Sequence, residues 1–282
     1  MPLAKVSEML REAKKESRCV AAINCFNFES IKTIINTGEK LELPVIVMLY
    51  PGMVSHIPLT TFAAITKDLA EKSSQLVGLH LDHCDNLDFI MEAVKAGINS
   101  VLFDASKQEY QANADMTRRV VEALRPFGAC VEAELGYVGS GGNTSDYTDA
   151  VKYTDPIEAK KFVEYTGVDS LAIAIGNAHG HYTVEPKLDI NCLKAINNQV
   201  DVPFVLHGGS GIPDEQIKEA IKNGIAKTNF GTDFFKSFYN GMSDYAANPE
   251  DNRKNIFGLL KAGETAGLNY IESRILVLKG GN

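Results

Sequence analysis

Short apolar runs and amphipathic stretches alternate along the whole chain. Cys19–Ile23, Val45–Leu49, Leu79–Cys84, Ser100–Phe103, Ala129–Leu135, Ser170–Ile175, Phe204–Leu206 and Ile225–Phe230 read as buried strands, short runs bounded by polar residues or glycine. Helical spacing marks Pro2–Lys15 before the first strand, then Phe28–Leu41, Leu59–Ser73, Asn86–Gly97, Met116–Leu124, Pro156–Tyr165, Ile190–Asn197, Asp214–Asn223 and Phe234–Ala247. In the third unit, Leu87, Ile90, Met91 and Val94 share a face and Gly97 sits at the stop. Strict alternation implies parallel strands with right-handed crossovers. Eight such units in 282 residues predict a closed α/β barrel of the (β/α)8 TIM type rather than an open sheet. No linker interrupts it, so one domain is expected over 1–282, with one or two extra C-terminal helices in Arg253–Leu278 forming an extension over about 253–282.

Composition narrows the class. With 45% hydrophobic residues the chain can bury a full core. A formal net charge of −8, with both signs interspersed, argues against a nucleic-acid or anionic-membrane partner. The amino terminus lacks the pattern of a secretory signal, and no run approaches the roughly 18 to 20 apolar residues of a membrane span. Five scattered cysteines without a CxxC pair fit reduced core residues. A cytoplasmic protein is expected.

In such a barrel the active site lies at the carboxyl ends of the strands. Those ends carry Asn24, Asp82 with His83, Asp104, Glu132 and Glu134, His179 with Gly180, His207 to Gly211, and Asn229 to Asp233. His83, His179 and His207 are three of the six histidines, each at the end of a different strand. Catalytic zinc sites take three protein ligands and leave a position open, so a metal site is expected there. Asp82 and His83 are adjacent and serve one pocket only where the strand is breaking up, since strand side chains alternate. His80 shares the face of Asp82 and reads as a hydrogen-bonded inner residue. Gly208, Gly209 and Ser210, with the loop from Asn229 through Gly231 and Thr232, supply backbone donors where such barrels hold phosphate. Glu132 and Glu134 point into the barrel and need a cation or hydrogen bonds. A second metal at Asp104 and Glu134 is one solution and bonding to interior polar groups is the other.

With these residues assembled, the chain resembles the class II, metal-dependent fructose- and tagatose-bisphosphate aldolases, from about Val20 to Asp233. The carriers are Leu81–His83, Val131–Gly136, Gly167–Ala172, Ala178–Gly180 and Leu206–Gly211, in the family's order and spacing. The resemblance implies reversible cleavage of a ketose phosphate or bisphosphate to dihydroxyacetone phosphate and an aldehyde. It implies zinc on His83, His179 and His207 stabilising an ene-diolate, and Asp82 as acid/base at the C4 oxygen. Gly180, Gly208, Gly209, Ser210, Asn229 and Thr232 match positions that hold the ketose phosphate; a nearby monovalent cation and a homodimer or homotetramer are also implied.

Three departures bear on the substrate. The family's mobile loop carries a glutamate after a Gly-Gly pair, but Gly139–Ser145 contains no carboxylate; Asp146 or Asp149 is the expected substitute within the loop Gly136–Tyr153. Gly231 stands where fructose-bisphosphate enzymes carry an aspartate, which brings the chain closer to the tagatose-type branch. Tyr50 ends the second strand where many relatives have a small residue. Fructose 1,6-bisphosphate is therefore not expected to be the best substrate, and tagatose 1,6-bisphosphate is the first to try. The alternatives are an enzyme for a modified sugar phosphate and a non-catalytic sugar-phosphate-binding subunit.

Overall fold

The computed structural model describes residues 3–149, 152–248 and 254–280. Eight parallel strands close into a barrel: β1 (Val20–Asn24), β2 (Val45–Leu49), β3 (Val77–Cys84), β4 (Ser100–Phe103), β5 (Cys130–Leu135), β6 (Ser170–Ile173), β7 (Phe204–Leu206) and β8 (Ile225–Phe230). Each pairs with its neighbours in sequence, and β1 closes on β8 with Val20 opposite Lys227. The helices are α1 (Val6–Lys15), α2 (Phe28–Leu41), α3 (Leu59–Lys72), α4 (Leu87–Ala96), α5 (Tyr110–Leu124), α6 (Ser145–Thr148), α7 (Pro156–Thr166), α8 (Ile190–Asn197), α9 (Asp214–Lys222), α10 (Thr232–Ala247) and α11 (Ile256–Leu278). This is the predicted TIM barrel.

Local signals start the helices. Asn27 caps α2 in a reciprocal box with Ser30, Asn86 caps α4, Asp155 caps α7 and Asp189 caps α8, each side chain accepting from otherwise unpaired N–H groups. Gly97, at φ 109°, ends α4 where the sequence placed the stop.

Two apolar layers fix where the site can be. Outside the strands, Ile31 and Ile34 of α2, Phe62 of α3, Phe162 of α7 and Ile217 of α9 join the main core. Inside, Val6, Met9, Leu10 and Ala13 of α1 pack with Val20, Ala22, Ile46, Met48, Cys130 and Ala226. That amphipathic helix plugs the amino-terminal mouth of the barrel, and Gly78 lets it approach, since a Cβ there would press on Val6. The carboxyl-terminal mouth is left for polar groups.

Beyond the eighth unit the carboxyl-terminal stretch is a single helix, α11, where one or two were expected; Arg253 lies outside the described residues. It packs along α10 and α2 and is tied by Lys40–Glu272 at 2.7 Å and Arg274–Asp214 at 2.8 Å. Among the described residues no helix is long and apolar enough to cross a membrane.

Candidate active site

Asp82 and His83 both belong to β3, which runs on to Cys84, so the strand is irregular there rather than ended. The register against β4 shifts between Leu81 and Cys84, and His83 has φ 44°, in the left-handed region. Regular alternation would send the two side chains to opposite faces. The irregularity brings both to the cleft, at a backbone cost of about 1–3 kcal/mol for a non-glycine residue.

Ring nitrogens of His83, His179 and His207 all lie within 4.8 Å of one another. His83 Nε2 is 3.0 Å from His179 Nε2, and His83 Nδ1 is 2.9 Å from Asp104 Oδ2. His207 sits between two carboxylates, Nδ1 at 2.9 Å from Glu134 Oε2 and Nε2 at 2.9 Å from Glu132 Oε1. Carboxylates only accept, so both His207 nitrogens carry hydrogen. Burial by itself would lower its pKa, but the bonds to Glu132 and Glu134 prevail and bring it to about 10. For His179, burial and the neighbouring imidazoles lower it to about 4. His83 is raised, because Asp82 and Asp104 outweigh burial.

This donor set fits a divalent metal. Asp82, Asp104, Glu132 and Glu134 face Lys227, the imidazolium of His207, and His83, whose pKa is raised. Four carboxylates against one ammonium and one imidazolium leave an excess of negative charge that favours a dication. Each imidazole also has the outer carboxylate contact that orients metal-bound histidines, or adjoins one that does. A second group, His83, Asp104 and Glu134, also lies within 4.8 Å. There Asp104 accepts from Ser106, and Glu134 accepts from the Val138 N–H at 3.2 Å. Both inward glutamates are thus hydrogen-bonded.

Asp82 is 5% exposed, and two amides hold its carboxylate: Asn24 Nδ2 donates at 2.7 Å and Asn229 Nδ2 at 3.1 Å. Burial opposes its charge, but His83, His207, Lys227 and His80 hold its pKa below the ordinary carboxylate value. His80 is buried with Nδ1 2.8 Å from Ser100 Oγ, an inner hydrogen-bonded residue as its position suggested. Above these groups opens a cleft of ≈ 810 Å³, whose walls include Asn24, Tyr50, Asp104, Gly231 and Thr232.

The glycine loop after β7 lies against the segment that carries His179. Gly208 has φ 65°, and a Cβ there would collide with the Ala178 carbonyl, so no other residue fits. Asn177 Nδ2 donates to the His207 carbonyl at 3.1 Å, and the Tyr182 hydroxyl donates to the Gly208 carbonyl at 3.0 Å. Ser210 and Asn229 are buried behind the cleft wall, while Gly180 lies at φ 86° with open space around its Cα. The amino end of α10 begins at Thr232, and Gly231 has no close neighbour, its nearest being Asn24 Nδ2 at 3.6 Å from an added Cβ.

The long loop after β5 does not bring Asp146 to the cleft. Its carboxylate is buried, accepting from the Ser140 N–H at 3.0 Å, Asn143 Nδ2 at 3.0 Å and Lys152 Nζ at 2.7 Å. Asp149 is exposed, and 150–151 of the loop lie outside the described residues. The loop pairs with the segment that carries His179: the His179 N–H donates to the Gly139 carbonyl at 2.8 Å and the Gly141 N–H to the His179 carbonyl at 2.7 Å.

One member of the site escaped the sequence reading. Lys227 is fully buried and its Nζ is 2.8 Å from Glu132 Oε2. The signal was present: a lysine in the run Ile225–Phe230, two residues before Asn229 and hence on its inward face, requires an anion across the barrel.

Among known proteins, the family model of class II fructose-bisphosphate aldolase matches residues 4–282. The YdjI aldolase of Escherichia coli K12 is similar over 98% of this chain and 97% of its own, with 33% identity and a TM-score of 0.88. The fructose-bisphosphate aldolase of Campylobacter jejuni shares the fold at a TM-score of 0.85 and 24% identity, over 98% of this chain and 95% of that one. A family match that spans the barrel and its terminal helix, joined to this likeness, places the chain in the class II fructose-bisphosphate aldolase family and makes it an aldolase, a lyase of carbon–carbon bonds.

Proposed function

We propose that this protein is a zinc-dependent aldolase that cleaves a ketose phosphate reversibly to dihydroxyacetone phosphate and an aldehyde. The observation that carries the reading is the convergence of His83, His179 and His207 beside the buried, ionised Asp82. Those imidazoles hold the zinc. When bound, it supplies positive charge against the negative charge that develops on the ketose oxygens as C3–C4 opens.

Asp82 takes the C4 hydroxyl proton as the bond breaks and returns it in the reverse direction. Asn24 and Asn229 fix the carboxylate for that transfer. Gly180, Gly208, Gly209, Ser210, Asn229, Gly231 and Thr232 hold the substrate, its phosphate favoured by the amino end of α10 and set in register with Asp82. A monovalent cation balances that phosphate, and His83, Asp104 and Glu134 offer a second metal position. Asp146 or Asp149 moves the proton at the dihydroxyacetone phosphate carbon; for Asp146 this requires leaving Lys152 and Ser140 as the loop closes. The open room at Gly231 and the aromatic wall at Tyr50 favour tagatose over fructose 1,6-bisphosphate. The enzyme works in the cytoplasm as a homodimer or homotetramer, without a nucleic-acid or membrane partner.

The test is dihydroxyacetone phosphate release across a panel of ketose phosphates, before chelation, after it, and with zinc restored. Release that follows zinc supports the reading. Release untouched by chelation, or none from any ketose phosphate, overturns it.

A further inference from the structure

Beneath the three histidines lies a polar layer in a part of the barrel that branched aliphatic side chains usually fill. Lys227 of β8, Glu132 of β5, His80 of β3 and Ser100 of β4 are between 0% and 2% exposed. Lys227 Nζ donates to Glu132 Oε2 at 2.8 Å and lies 3.4 Å from His80 Nε2, whose ring is held in turn by Ser100. The other oxygen, Glu132 Oε1, is 2.9 Å from His207 Nε2. Stability is a weak reason for such a layer, because apolar groups of similar volume often replace a buried ion pair without loss.

The two glutamates around His207 are not equivalent. Glu134 belongs to the cation-competent group with His83 and Asp104, so it faces the metal side of the ring through Nδ1; Glu132 belongs to neither group. A metal reaching His207 therefore displaces Glu134 from Nδ1, provided that Glu132 stays on Nε2. Among the described residues, the hydrogen bonds that hold the Glu132 carboxylate there come from Lys227 and His207. Without the ammonium, a buried carboxylate with one partner is left to turn toward the nearest cation.

We propose that Lys227 is a positioning residue of the metal centre: by pinning Glu132 it locks the His207 ring with Nδ1 presented to the metal and keeps Glu132 from becoming a ligand itself. This rests on the reading that the three histidines hold a divalent metal.

Lys227→Met, which keeps the length and removes the charge, tests it. Zinc affinity, measured by competition with a chelator, is expected to fall about 10- to 100-fold, the usual effect of losing an outer contact to a metal ligand. The visible absorption of the cobalt-loaded protein should change with it, a readout that a purely structural role would leave alone. The double variant Lys227→Met/Glu132→Gln removes both charges while its side-chain oxygen still accepts from His207 Nε2–H, and it should recover most of the lost affinity. Parent-like affinity and cobalt spectrum in Lys227→Met, or a double variant as weak as the single one, overturns the proposal. Should Lys227→Met fail to fold, the double variant alone decides, with near-parent affinity expected and a 10-fold or larger loss overturning it. Titration of the parent with zinc and cobalt comes first, since failure to bind there removes the metal reading instead.

Discussion

Replacing Asp82 by asparagine separates acid–base chemistry from architecture. The carboxylate accepts from Asn24 Nδ2 and Asn229 Nδ2 at 2.7 and 3.1 Å, so Asp82→Asn sets one donor against another. A flip of either neighbouring amide repairs this, because Asn24 Oδ1 and Asn229 Oδ1 are buried without a partner and either can accept from the new NH₂. The exchange turns charge-assisted bonds, each about 1.5–3 kcal/mol, into neutral ones of about 0.5–1.5 kcal/mol. Relief from burying a charge offsets part of that loss. A net destabilisation of about 1 kcal/mol is expected, with zinc retained. Turnover should respond far more, since the variant lacks the carboxylate proposed to take the C4 hydroxyl proton; general acid–base groups contribute about 10²- to 10⁴-fold, or roughly 3–5 kcal/mol of activation barrier at 1.36 kcal/mol per decade. The assay follows dihydroxyacetone phosphate with a coupled dehydrogenase, alongside zinc content and melting temperature. Parent-like kcat in a zinc-replete Asp82→Asn sample would refute the assignment.

Three further outcomes are expected. Zinc binding at pH 8 should release at least one proton, because His207, at an ordinary 6.5, would have none to give but is held at about 10; affinity should rise with pH up to that value, and calorimetry in buffers of different ionisation enthalpy would count the protons. Asp146→Ala or Asp149→Ala should slow exchange of the C1 proton of dihydroxyacetone phosphate, and parent-rate exchange in both variants would hand the step to another group. Tagatose 1,6-bisphosphate should give a higher kcat/KM than fructose 1,6-bisphosphate, and Gly231→Asp, for which the structure has room, should narrow that ratio; the reverse order in the parent would show the reading of Gly231 and Tyr50 to be wrong.

The barrel was legible because buried parallel strands are short apolar runs and their helices carry a clear stripe. Element ends were less so. The first turns of α5 went unread because Gln111, Asn113 and Asp115 are polar, yet Asn113 is buried and donates to the Glu134 carbonyl at 3.0 Å, so the helix starts at Tyr110 rather than Met116. The strand-end histidines and Asp82 were legible as residue types at recurring positions. The left-handed backbone of His83 was not, because composition carries no sign of a strained dihedral. Nor was the engagement of Asp146, which depends on how the loop folds back to bring Lys152 within reach. That loop was read by its carboxylates alone, and a lysine six residues on is as informative as the aspartate itself.

The strand period explains why the irregularity in β3 falls where it does. His80 and Asp82, Glu132 and Glu134, and Lys227 and Asn229 are pairs two residues apart, each pair on one inward face of its strand. The lower member of each pair lies in the supporting layer and the upper member in the layer that faces the cleft. On β3 regular alternation must therefore persist through Asp82, or His80 would turn away from Lys227 and Asp82 from its two amides, since a slip of one residue moves every side chain to the other face. It must fail at the next residue, or His83 would point into the apolar layer outside the barrel. The register shift after Leu81 and the positive φ of His83 meet both demands. The left-handed dihedral thus falls on His83 itself, the residue next to Asp82, and it is what lets two adjacent side chains enter one cleft.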